Sequence, residues 1–360
     1  MRHAPTIAYF ITSHGFGHAT RAAAVMEAIL RQNANVHFEL FTTCPAQLFK
    51  ASIGDDFGYH AVQPDIGLVQ LSPLKEDLQT TCDQLDEMLP YSKILIHGLA
   101  KQLKCLNCCM VICDIAPLGI EVADKAGVPS ILIENFTWDW IYRGYLKEER
   151  RLAPHIAYLE GLFHRADHHI QTEPICKATK GAVTMKPMYR NARSDRRQVR
   201  RQLGIPPESR MVLVSMGGVP DRYPFLSKLP SDLNVYLVIP GANGLQSPQK
   251  RVLLLPKHSN FFHPDLMVAA DALIGKAGYS TVAEAYQTGI PFGYIGRRQS
   301  PESPVLEAFI RRHLPCMAIP MGAYDNGQWI EHVPQLLAIP RSRPRNQNGA
   351  DDAAGYILKL

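Results

Sequence analysis

Apolar positions along this chain fall into two recurring patterns: short, nearly unbroken runs and longer stretches with a period near 3.6. TIAYFIT (6–12), MVICD (110–114) and PSILIEN (129–135) are runs of the kind that strands covered on both faces require. NVHFELFTT (35–43) alternates, as a half-buried strand does. Between them lie ATRAAAVMEAILRQN, Ala-rich with apolar residues at helical spacing, and PLGIEVADKAG, a helix expected to end at Gly127. Strands separated by helices predict a parallel sheet with helices on both faces.

The pattern restarts after residue 190. RSDRRQVRRQLGIPP (193–207) reads as a helix that breaks at Gly204 and the prolines, and MVLVSMGG (211–218) as a buried strand running into two glycines. NVYLVIPG, RVLLLP, DALIGKAG and PFGYIG follow as strands, with YSTVAEAYQTG between the last two as a helix opened by Ser/Thr and closed by Gly289. The tail from 341 begins as a Pro/Arg/Asn-rich loop and ends in a short helix with Ile357, Leu358 and Leu360 available for docking. The expected fold class is therefore α/β, with two doubly wound Rossmann-like domains. At 360 residues the chain is too long for one typical core and fits two.

Charge changes this picture at one place. The net charge is +5, yet 186–201 (KPMYRNARSDRRQVRR) alone holds seven Lys/Arg and one Asp. A solvated helix face beside a linker is the plain reading. A peripheral contact with anionic lipid, or with a phosphorylated acceptor, is the alternative. Nucleic acid is disfavoured, because no aromatics interleave the cations for base stacking. No apolar run reaches the length of a membrane span, and TIAYFIT runs into a glycine turn rather than a cleavage site, so it reads as a strand and not a signal peptide. The eight cysteines show no disulfide spacing. CLNCCMVIC (105–113) contains one CxxC but no second knuckle, which disfavours zinc and favours buried, reduced thiols in a cytoplasmic setting.

Three strand–glycine–helix junctions, at 13–18, 215–219 and 275–281, offer free backbone N–H groups at a helix N-terminus, where an anion is stabilised. None has the Lys-Ser/Thr of a P-loop, and SHGFGH lacks the dinucleotide spacing. Three in two α/β units point to a phosphate-bearing ligand between the domains. His18 is more than a turn requires. An imidazole at a helix N-terminus stays neutral and can accept a proton, and Asp114, at the carboxyl end of its strand, is the candidate partner. A histidine beside a glycine turn can equally be structural. The glycines between His14 and His18 keep the two off a shared helical turn, so a metal pair is disfavoured.

SHGFGHATR (13–21), NFTWDWIY (135–142) and GKAGYSTVAEA (275–285) together resemble the GT-B glycosyltransferases. More narrowly the chain is similar to the family 28-like branch that holds the lipid II N-acetylglucosaminyltransferase and the UDP-glucuronosyltransferases. SHGFGHATR and 113–142 also resemble the N-terminal region of L-arabinokinases. The resemblance implies an acceptor-side domain (1–190), a nucleotide-sugar domain (191–345) facing it across a cleft, and a last helix (346–360) that crosses back. It implies inverting, metal-independent transfer from a UDP-sugar, with no cofactor, to a small-molecule, glycan or lipid-linked acceptor. His18 would be the base and Asp114 its partner. Gly217, Gly218, Phe262, Gly278, Ser280, Thr281, Glu284 (ribose), Gln299 and Glu302 would bind the donor. Glu302 stands where an asparagine or glutamine is usual. His14, Gly15, Gly17, Arg21, Asn135, Trp138 and Asp139 would meet the acceptor, although the aromatics of NFTWDWIY can also simply cap the sheet edge. A non-catalytic nucleotide-sugar sensor and a GT-B-shaped sugar-nucleotide epimerase are the competing functions.

Overall fold

The computed structural model describes residues 4–33, 35–72, 75–217, 223–230, 234–242, 249–256, 259–297 and 299–360. Of the candidate site residues, Gly218 lies outside these. The strands of the first part are β1 (Thr6–Ile11), β2 (His37–Thr42), β3 (Gly58–Ala61), the antiparallel pair β4 (Gln70–Ser72) and β5 (Lys75–Glu76), β6 (Cys108–Asp114), β7 (Ser130–Glu134), β8 (His168–Thr172) and β9 (Val183–Met185). All but β4 and β5 join one parallel sheet in the order β3-β2-β1-β6-β7-β8-β9. β10 (Arg210–Ser215), β11 (Val235–Pro240), β12 (Val252–Leu255), β13 (Ala272–Lys276), β14 (Phe292–Ile295) and β15 (Cys316–Ala318) form a second, in the order β12-β11-β10-β13-β14-β15.

Both orders reverse once, between β1 and β6 and between β10 and β13. At such a reversal the connections leave in opposite directions and open a crevice at the carboxyl ends of the two central strands. Register places Ile11 beside Asp114 in the first sheet and Ser215 beside Gly275 in the second. A Cβ on Gly275 would lie 2.1 Å from the Ser215 carbonyl oxygen, so a side chain there would push β13 off β10.

The first helix, Phe16–Gln32, buries Ala19, Ala22, Ala23, Val25, Met26 and Ile29 on the first sheet. Its small residues allow close approach, and each larger one contributes about 1.5–3 kcal/mol of burial. The last helix, Gly349–Ile357, inserts Ala350, Ala353, Ala354 and Ile357 into this same core. It starts on Asn348, whose side chain accepts the Ala350 N–H, and Asp351 pairs with Arg31 of the first helix.

Several local expectations change. The helix expected from 193 to a break at Gly204 starts only at Arg196, because Asp195 caps it by accepting the Gln198 N–H, and it ends at Gln202 ahead of Gly204 at positive φ. The helix Tyr279–Thr288 has Gly278 at its N-cap without a side-chain cap, since the Ser280 hydroxyl points across to the other domain, while Gly289 ends it at positive φ. Cys108 and Cys113 are buried, but Cys105 and Cys109 are exposed. Four of the seven cations in the basic stretch are paired, Lys186 with Glu173, Arg190 with Glu284, and Arg196 and Arg200 with Asp271, while Arg193 donates to the Ser52 carbonyl. Of the seven, Arg190 and Arg200 are buried and Arg193, Arg197 and Arg201 are exposed. Among the described residues no helix is long and apolar enough to cross a membrane.

Candidate active site

A cavity of about 670 Å³ lies where the two switch points face each other. His14, His18, Phe136 and Trp138 line it from the first domain, and Gly217, Lys276, Thr281 and Glu284 from the second.

β1 ends at Ile11, and Gly15, at φ +73°, turns the chain into the first helix, so His18 falls in its first turn. Parallel pairing of β1 with β6 brings Asp114 alongside. His18 Nδ1 and Asp114 Oδ1 are 2.9 Å apart. Arg21, one turn further along the helix, grips the same carboxylate from Nε at 2.7 Å and Nη2 at 2.6 Å. Burial alone would raise the Asp114 carboxyl, but Arg21 and His18 prevail and hold it below the usual range. Burial lowers His18 and outweighs the Asp114 hydrogen bond, so the ring is neutral at neutral pH. With Asp114 ionised, Nδ1 carries the proton and Nε2 keeps the lone pair.

Arg21 is thus a support of this pair and not a free acceptor ligand: it is 1% exposed, its other arm donates to Asn135 Oδ1 at 2.6 Å, and it lies 4.8 Å from the Tyr279 ring centroid. Asn135 is fully buried between Arg21 and Glu302. Asp139, buried in the first turn of the helix Trp138–Arg143, does not line the cavity. The polar clamp expected from Asn135 and Asp139 is therefore not formed. Of the aromatics in NFTWDWIY, Phe136 and Trp138 line the cavity, and Trp138 is 1% exposed. Trp138 Nε1 donates to Asp65 Oδ2 at 3.1 Å, Thr12 Oγ1 donates to Asp65 Oδ1 at 2.6 Å, and His14 meets Trp138 edge-on at 5.1 Å. His14 Nδ1 accepts the Leu68 N–H at 3.3 Å, and burial, then His18, Arg297 and Lys276, lower it well below the usual range. Burial pushes Asp65 up to about 7. Gly15 and Gly17 line the cavity with the loop.

The second domain carries a matching histidine–carboxylate–arginine set. His263 Nδ1 meets Glu284 Oε2 at 2.6 Å, Arg190 Nη2 donates to Glu284 Oε1 at 3.2 Å, and Ser215 Oγ lies 3.0 Å from His263 Nε2. Burial works against the Glu284 charge, yet His263 and Arg190 hold its pKa below the usual range. Phe262 is bracketed by the Arg190 and Arg193 guanidinium groups, at 4.7 and 4.6 Å from its centroid. Gly217, Gly278, Ser280 and Thr281 all face the cavity. Lys276 was not foreseen. Its Nζ sits 3.7 Å from where a Cβ on Gly217 would stand, and its ammonium has no hydrogen-bond partner among the described residues. Burial and then Arg297 lower it to about 7.

Glu302 is 5% exposed, with its oxygens bonded to Asn135 and Arg297, and Gln299 is exposed outside the cavity lining. Sequence reasoning also passed over Asp65, Arg190, Ser215, His263 and Arg297. The lysine inside GKAG, a cation in a glycine turn, was the one readable signal among those missed.

No family model matches the chain. The L-arabinokinase of Arabidopsis thaliana is 27% identical over 362 residues, which cover 98% of this chain and 34% of that protein. The chain thus spans about a third of that relative's length. Solved structures align along nearly the whole chain. Acinetobacter baumannii MurG is 14% identical with a TM-score of 0.55, covering 99% of this chain and 100% of that one. Arabidopsis thaliana UGT89C1 complexed with UDP is 12% identical with a TM-score of 0.63, covering 99% of each. Phytolacca americana UGT2, complexed with UDP-2-fluoro-glucose and pterostilbene, is 13% identical with a TM-score of 0.58, covering 99% and 90%. At these identities what is shared is the architecture, and with its two switch points facing one cavity this protein has the GT-B fold.

Proposed function

We propose that this protein is a glycosyltransferase that moves a sugar from a UDP-sugar to a small ring-bearing acceptor with inversion. The observation that carries the reading is His18, a neutral, buried imidazole paired to Asp114 and facing, across the cavity, a helix N-terminus and the Lys276 ammonium, which has no hydrogen-bond partner among the described residues. An acceptor hydroxyl lying over Phe136 and Trp138 gives its proton to His18 Nε2 as its oxygen attacks the anomeric carbon. The bond from that carbon to the diphosphate breaks with both electrons leaving on the diphosphate, from the opposite face. Asp114 offsets the imidazolium charge. Lys276 and the N–H groups at Gly278–Thr281 offset the leaving charge. Glu284 keeps a lone pair on each oxygen for ribose hydroxyls, and Phe262, with Arg190 and Arg193 against its ring, would lie near the base.

UDP in UGT89C1 and UDP-2-fluoro-glucose in UGT2 support the donor class, and pterostilbene in UGT2 supports a small acceptor. The test is a thermal-shift screen of nucleotide sugars followed by assay of nucleotide diphosphate release with a panel of acceptor alcohols. Stabilisation with release is expected. Stabilisation without release on every acceptor makes the protein a sensor, and no stabilisation by any nucleotide sugar overturns the reading.

A further inference from the structure

An unbroken chain of buried polar groups leads from His18 to the opposite domain. Asp114 is gripped by Arg21, and Arg21 Nη1 donates to Asn135 Oδ1. Asn135 then reaches across the cleft, its Nδ2 donating to Glu302 Oε1 at 3.0 Å. Glu302 Oε2 accepts from Arg297 Nη2 at 3.2 Å, and Arg297 Nη1 returns to the first domain at Glu76 Oε1, 3.3 Å away. Every member is buried.

The charges decide what Glu302 does. Asp114 and Arg21 form a two-point ion pair, so Arg21 cancels part of the Asp114 charge felt by His18. At the far end Arg297 is shared by two carboxylates, Glu302 and Glu76, and Lys276 lies close enough to interact with all three. The groups facing His18 are Asp114 from β6, Arg21 from its own helix, His14 from the preceding loop, the Phe136 and Trp138 rings after β7, and Glu302 from the second domain. Burial, and to a lesser degree Arg21, lower His18, while Asp114 and then Glu302 raise it. Glu302 is the contributor that arrives from the other domain.

We propose that Glu302 is a positioning residue for the His18 base, supplied by the opposite domain and coupled to it through Asn135 and Arg21. The inference rests on His18 acting as the base. It makes the base complete only when the segment before the helix Ser303–His313 is docked on Asn135, so proton acceptance is tied to the domain that holds the donor.

The test is the ring titration of His18 in the full chain, read by carbon-13 NMR of labelled histidine and assigned with His18→Asn. Glu302→Gln should move the titration down by about one pH unit, the size of one lost charge interaction at a partly buried site. Glu76→Gln removes the other partner of Arg297 but leaves the Asn135 contact, and should move it less than half as far. Asn135→Ser should shrink the effect of Glu302→Gln. An unmoved titration in a Glu302→Gln protein that melts like the parent overturns the proposal, and so does an equal shift in Glu76→Gln. Should Glu302→Gln not fold, an unmoved His18 in Asn135→Ser overturns it alone. Because no substrate is needed, absent transfer activity would sink the glycosyltransferase reading without touching this measurement.

Discussion

Thr20 Oγ1 donates to Ser280 Oγ at 2.9 Å, and Ser280 Oγ donates in turn to the Gly17 carbonyl at 3.1 Å. The helix that carries His18 is thereby pinned to the helix that opens on the second domain's glycine turn. The Ser280 hydroxyl serves this junction, which leaves its backbone N–H for a phosphate. Ser280→Ala should therefore weaken UDP binding by no more than about tenfold, the scale of one net hydrogen bond. A loss beyond a hundredfold in calorimetry would return the hydroxyl to the ligand.

His18→Ala should reduce turnover by about 10²–10⁴ while leaving UDP affinity unchanged. Because burial sets the His18 pKa below its ordinary 6.5, kcat/KM should fall on acidification below that value, as the ring protonates. Asp114→Asn removes a negative neighbour, so the acid limb should move to still lower pH while the rate drops. An acid limb above 6.5 in the parent enzyme counts against this assignment.

Lys276 should make anion affinity and stability oppose each other. Its pKa is about 7 in the folded chain against 10.5 unfolded, so between these values the unfolded chain binds more protons and stability rises with pH. Lys276→Met should raise the melting temperature at pH 7, and that advantage should shrink by pH 10. UDP should bind the variant more weakly, whereas parent affinity should decline as pH climbs above 7. Equal pH dependence in the two proteins would remove the lysine from the anion site.

Ser215, His263 and Glu284 stand in the order of a serine-hydrolase relay. Under the transferase reading Ser215 orients His263 and attacks nothing, so Ser215→Ala should leave turnover within about tenfold, against losses of 10³ or more for a nucleophile. A serine-reactive phosphonate should leave the chain unlabelled. Labelling at Ser215, seen by mass spectrometry, would mean a covalent mechanism.

What the sequence determined by itself was local. Unbroken apolar runs can be buried only between two helix layers, which specified two parallel sheets before any contact was known. Gly127 and Gly289 marked helix ends because they take positive φ at little cost. His18 could be assigned to a helix N-terminus and Asp114 to the carboxyl end of a strand, 96 positions apart. Parallel register then set them 2.9 Å from one another. Tertiary structure decided where the charges went. Arg21 was read as a cation available to an acceptor, yet packing commits it to the buried Asp114 carboxylate, just as it commits Arg190, which sequence reasoning passed over, to Glu284. Seven cations in 186–201 read as a basic face, but four of them pair with Asp271, Glu284 and Glu173, and Arg190 and Arg200 are buried. Glu302, read as a donor ligand, lines the cavity but also bonds to Asn135, 167 positions earlier, and Lys276, passed over as a turn residue, brings a cation to the cavity wall. Backbone periodicity is a property of neighbours in the chain, whereas the partner of a charge is whichever group the folded chain brings within about 4 Å.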